Sequence, residues 1–136
     1  MPEHRPTVGV IGGVPVVATP EEIDMTNAAG LQAALLEASA LGHDTFVVDM
    51  SGTQFCDSAG VHALVRAYQR SRSEGGEMLL VVSATAVLRV FAIIGIDHLI
   101  PSFPTLEQAL AHPPAARSAR TSPALTVPEP SSPSPS

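Results

Sequence analysis

Lysine is absent from this chain, and its seven basic residues are arginines scattered from Arg5 to Arg120. Nucleic-acid binding rests on clustered Lys and Arg, so a formal net charge of −6 argues against a DNA or RNA partner. Tryptophan is also missing and aromatics make up only 4% of the residues, so any core must be built from Val, Ile, Leu and Ala. A hydrophobic share of 45% is enough for one. The single cysteine, Cys56, excludes an internal disulfide and fits a reducing compartment. No apolar run approaches the roughly 20 residues that span a bilayer. Met1-Pro2-Glu3-His4-Arg5-Pro6 has no apolar stretch to serve as a signal peptide. A soluble, cytoplasmic protein without a membrane partner is the expectation. The histidines have no ligand spacing and no Cys pair accompanies them, so neither a metal nor a cofactor is expected.

What the chain does contain changes character near His112. Residues 112–136 hold seven Pro and six Ser, with Leu125 and Val127 as their only large apolar groups. Such a segment cannot bury enough apolar surface to offset the entropy of ordering it, and it reads as a disordered tail. Arg117 and Arg120 against Glu129 give the tail +1, leaving −7 on a single domain at residues 1–111.

Within that domain short apolar runs alternate with helical patterns. Val8 to Ile11 and Val14 to Ala18 flank Gly12-Gly13, a two-residue hairpin signal. Thr26-Asn27 opens a helix whose stripe is Leu31, Ala34, Leu35, Ala38 and Leu41, with Gly42 as its stop. Phe46 to Met50 and Met78 to Val82 are almost continuously apolar, which suits strands covered on both faces. Between them the spacing predicts a helix from about Ser58 to Glu74, burying Val61, Leu64, Val65 and Tyr68. A third helix buries Val87, Val90, Phe91 and Ile94 and stops at Gly95. Leu99 to Phe103 contains Pro101 and should be an edge strand, and Thr105 begins a last short helix. The expected architecture is a small α/β layer fold: a mixed sheet with an N-terminal hairpin and about four helices packed on it.

The stretch Val47-Val48-Asp49-Met50-Ser51-Gly52-Thr53-Gln54-Phe55-Cys56-Asp57-Ser58-Ala59-Gly60-Val61 resembles the STAS domain of anti-sigma factor antagonists. That family runs from an apolar strand ending in Asp-Leu-Ser to Phe-x-Asp-Ser-Ser-Gly-Leu and an apolar helix. Glu22-Ile23-Asp24 is similar to its Glu-Leu-Asp segment. Gly75-Gly76-Glu77-Met78-Leu79-Leu80 followed by Val87-Leu88-Arg89-Val90-Phe91 keeps its later order. The likeness spans about residues 7 to 111. It implies a binding module rather than an enzyme, with an anti-sigma factor that is also a serine kinase as its partner, and a phosphatase to reset it. In that family the unphosphorylated protein binds the anti-sigma factor and frees the sigma factor, and phosphorylation of the serine after the Asp ends the complex. Carried onto this sequence, the phosphoacceptor is Ser58, and the partner-binding residues are Asp24, Asp57, Ser58, Ala59, Gly60 and His62. Ala59 stands where the family has a second serine, and His62 where Gly or Ala is common.

Several of these residues carry a second reading. Ser58 is placed to be the N-cap of the second helix, a role worth about 1 kcal/mol. Asp24 can be a turn residue ahead of Thr26, and Asp49 can cap a loop. Cys56 reads as a small core residue, with redox tuning of its neighbour as the alternative. An enzyme would need a nucleophile with its base, and the chain offers no Gly-x-Ser-x-Gly elbow, P-loop or Cys-x-x-Cys. The alternative to the antagonist is a STAS scaffold or accessory module of a stress-sensing assembly or transporter.

Overall fold

The computed structural model describes residues 6–41 and 45–112. The expected helix stop at Gly42 and the expected tail beyond His112 lie outside the described residues. A hairpin of β1 (Thr7–Ile11) and β2 (Val14–Ala18) turns through Gly12 and Gly13, at φ 59° and 83°. Both glycines adopt the left-handed conformation that a two-residue hairpin turn requires. β3 (Glu22–Ile23) and helix α1 (Ala28–Ser39) follow, then β4 (Thr45–Asp49), β5 (Phe55–Cys56) and the long helix α2 (Ser58–Ser73). The chain continues through β6 (Glu77–Val81), α3 (Thr85–Ile94), α4 (Ile96–Leu99), β7 (Ser102–Phe103) and α5 (Leu106–Leu110).

Five strands form one sheet in the order β1-β2-β4-β6-β7, antiparallel only at β1 with β2. The sheet is therefore mixed, as expected, and β7 lies at its edge where Pro101 costs no ladder bond. Strand alternation explains the continuous apolar runs. Val17, Phe46, Val48, Met78 and Leu80 face the main core beneath α1, α2 and α3. Val16, Val47, Leu79 and Val81 face the opposite side, where α5 covers them with Ala109. Both faces are thus buried, and the strands have no polar side to show.

Two apolar residues assigned to helix stripes lie elsewhere. α1 ends at Ser39, so Leu41 falls past its C-terminus and is 45% exposed. Ile94 is the last residue of α3, and the left-handed Gly95 (φ 94°) turns the chain there, leaving it 51% exposed. The buried apolar side chain is instead Ile96, in the additional short helix α4. His112, the first residue of the expected tail, packs its ring on Phe103 and reaches the buried carboxylate of Glu77 at 3.4 Å.

Candidate functional site

A second, two-stranded sheet builds the site. β3 and β5 pair in parallel, Glu22 with Phe55 and Ile23 with Cys56. The N–H of Gln54 donates to the carbonyl of Glu21 at 2.8 Å, and that of Asp57 to Ile23 at 3.0 Å. Thr53, fully buried, donates its hydroxyl to the Pro20 carbonyl at 2.7 Å and contacts the Thr19 hydroxyl. These bonds join the segment leading to Asp24 with the segment leading to Ser58. One step past the end of the ladder stand Asp24 on one segment and Asp57, the residue before α2, on the other. The sequence reading missed β3, β5 and Thr53, because two-residue strands carry no periodicity and a buried threonine has no pattern.

The cap of α2 is Asp57, not Ser58. The Asp57 carboxylate accepts the N–H of Ala59 at 2.9 Å and of Gly60 at 3.1 Å, satisfying two of the donors that a helix start leaves open. Ser58 is instead the first helical residue, exposed, and its hydroxyl has no hydrogen-bond partner among the described residues. His62, also exposed, lies four residues on and so on the same side of the helix. Ala59 is half-buried and Gly60 buried.

Gly60 and Cys56 set how closely α2 approaches β3. A Cβ on Gly60 would stand 2.5 Å from Cγ2 of Ile23 and 2.7 Å from the Cys56 sulfur. Only glycine admits this contact. Burial pushes the Cys56 thiol from 9.0 up to about 12, and the neighbouring Asp57 charge adds to the rise. Its place in the core beside Gly60 and its protonated thiol favour the core reading of Cys56 over the redox one.

Asp24 organises a turn. Its carboxylate accepts from the Thr26 N–H at 2.9 Å and from the Thr26 hydroxyl, while its own N–H donates to the Asn27 side chain at 2.9 Å. Asn27 precedes α1 but makes no side-chain capping bond there; its amide donates to the Glu22 carbonyl at 2.8 Å. Asp49 caps a loop through the Ser51 N–H at 3.0 Å. Two apolar side chains that sequence reasoning did not assign to the site stand beside it: Met25, 79% exposed, and Phe55, 51% exposed. Met25 follows Asp24 and Phe55 lies two residues before Asp57, so exposed apolar and polar side chains adjoin along these segments, a mixture suited to protein docking. Among the described residues no group of three or more His, Cys, Asp or Glu could hold a metal ion. No described helix is long and apolar enough to cross a membrane.

Comparison with known proteins gives three findings. A family model for the STAS domain matches residues 5–109. The anti-sigma-F factor antagonist RsfB of Mycobacterium tuberculosis is 29% identical over 104 residues, covering 76% of this chain and 84% of RsfB. Among solved structures, an anti-sigma factor antagonist from Mycobacterium paratuberculosis is 32% identical, with a TM-score of 0.72 over 78% of this chain and 90% of its own. The Bacillus cell fate determinant SpoIIAA in its phosphorylated form shares the fold, with a TM-score of 0.60 at 18% identity, over 78% of this chain and 96% of that one.

Proposed function

The chain belongs to the STAS domain family, and from that premise we propose that it is an anti-sigma factor antagonist switched by phosphorylation of Ser58. Unphosphorylated, it binds a kinase-type anti-sigma factor in the cytoplasm through Asp24, Asp57, Ser58, Ala59, Gly60 and His62, with Met25 and Phe55 as apolar anchors, and so frees the sigma factor. The kinase passes the γ-phosphoryl group of ATP to the Ser58 oxygen. ADP leaves, and the hydroxyl proton goes to a base on the kinase. A phosphatase restores the hydroxyl.

The observation that carries this reading is the division of labour at the start of α2. Asp57 holds the Ala59 and Gly60 N–H groups, so the exposed Ser58 hydroxyl has no structural duty. A phosphate there brings a charge of about −1.5 to −2 beside the Asp57 carboxylate. The Ala59 and Gly60 N–H groups are already occupied by Asp57, so those two donors do not neutralise it. A partner matched to a neutral hydroxyl would have to desolvate that charge, at about 2–5 kcal/mol if it is left unpaired. Release follows from repulsion, with the domain still folded. A scaffold or transporter accessory needs no phosphorylatable serine, and the unengaged Ser58 favours the switch.

The direct test is incubation with ATP and candidate kinase-type anti-sigma factors, with the phosphate located by mass spectrometry. Phosphate on Ser58 alone is expected. Modification elsewhere, with Ser58 untouched, would remove the basis of the reading.

A further inference from the structure

The two edges of the main sheet are treated differently. β7 is two residues long and stands between Pro101 and Pro104, which have no N–H to offer a new strand. β1, at the other edge, is Thr7-Val8-Gly9-Val10-Ile11, with no charge, no proline and no bulge. Val10 is 57% and Ile11 45% exposed. Among the described residues, none of the usual devices that keep an edge from pairing is present on it.

We propose that β1 is a homodimerisation edge, pairing antiparallel with β1 of a second copy about a twofold axis at Gly9. Ile11 and Val14 close the two-residue turn and are the hydrogen-bonded pair there. By alternation, Thr7 and Gly9 also turn their backbone groups toward β2, whereas Val8 and Val10 turn theirs outward. In the proposed register Val8 and Val10 of one copy exchange bonds with Val10 and Val8 of the other. Gly9 meets Gly9 at a non-hydrogen-bonded position, where the backbones come closest. Thr7 faces Ile11, so every remaining cross-strand pair is β-branched, a favourable pairing in sheets.

The faces agree with this register. Val8 packs toward the main core beneath α1, and Val10 shares its side of the strand. Beside Val8 an open groove of about 440 Å³ runs between β1 and α1, lined by Pro6, Val8, Gly30, Ala33, Ala34 and Glu37. The second copy's Val10, placed opposite Val8, enters that groove. The strand has no like charges to bring together, although each chain is acidic at −6. The contact is one short strand and one groove on each side, in the class below about 1,200 Å² in total, so association is weak. It also stops at two copies, because the twofold consumes both β1 edges and the prolines protect β7.

Sedimentation of the full chain from about 1 μM to 1 mM should resolve a reversible monomer–dimer equilibrium. Val10→Glu, which sets a carboxylate into the groove holding Glu37, should weaken it at least about tenfold while leaving the monomer folded. Gly9→Cys, where a Cβ meets nothing within 4 Å, should form an interchain disulfide on oxidation, because the paired backbones are close enough to bridge. Cys56 is buried and does not compete. A chain that stays monomeric throughout, a dimer indifferent to Val10→Glu, or species larger than a dimer would each overturn the proposal. So would β1 amide resonances that are unmoved by dilution yet shift on adding an anti-sigma factor, an outcome that gives the edge to that partner.

Discussion

Gly60 of α2 lies so close to Ile23 of β3 that a Cβ would come within 2.5 Å of the Ile23 Cγ2 methyl. Ile23 is β-branched and fully buried, so it cannot swing aside. Gly60→Ala should therefore force α2 away from β3 and destabilise the fold by about 1–3 kcal/mol. Urea denaturation measures this directly, and an unchanged midpoint would contradict the close contact.

Neighbouring positions should behave oppositely in stability measurements. Asp57→Ala removes the cap of α2 and is expected to cost about 0.5–2 kcal/mol. Ser58→Ala removes an exposed hydroxyl without a partner and should stay within about 0.5 kcal/mol of the parent. Equal losses at the two sites would return the capping role to Ser58.

In binding, the order reverses. Ser58→Ala should bind the anti-sigma factor constitutively, whatever ATP is present. Ser58→Asp should lose binding by about 30-fold or more, corresponding to the lower end of the 2–5 kcal/mol desolvation cost. Calorimetric titrations in which both variants bind alike would sink the repulsion mechanism.

Cys56 should resist alkylation. With its thiol raised to about 12, the native thiolate fraction at pH 8 is on the order of 10⁻⁴. Labelling should be slow in buffer and rapid in urea. The same shift sets a pH dependence: the folded state holds the thiol proton more tightly than the unfolded chain. This contribution to stability is present below pH 9.0 and is lost as pH rises toward about 12. Rapid native labelling at pH 8 would contradict a buried, protonated thiol.

Thr53→Val keeps the shape of the side chain but leaves the Pro20 carbonyl without its donor. The expected loss is about 1–3 kcal/mol. Partner affinity should fall with it, because the segments bearing Asp24 and Ser58 lose one of the bonds that tie them together. Intact affinity in a destabilised variant would separate the tie from the binding surface.

Much of this architecture is legible in the sequence for a plain reason. Phe46 to Met50 and Met78 to Val82 are covered on both faces, and such strands spell themselves as continuous apolar runs. Helix α2 announces itself by Val61 and Leu64 at helical spacing. The site was less legible. β3 and β5 have two residues each and gain meaning only from a pairing across more than thirty positions of chain. Asp57 and Ser58 are both capping residues, so a one-residue difference in where α2 starts decides which does the work. Met25 and Phe55 read as ordinary apolar residues until the fold leaves them outside.

The separation of Asp57 from Ser58 bears on how such a protein can change over generations. On the proposed reading, the cap of α2 rests on one codon and the phosphoacceptor on the next, so selection can change responsiveness without disturbing the cap. A lineage could then retire the switch through Ser58→Ala and inherit an always-on binder with its scaffold unharmed. The reverse change would restore regulation in one step, without passing through an unfolded ancestor.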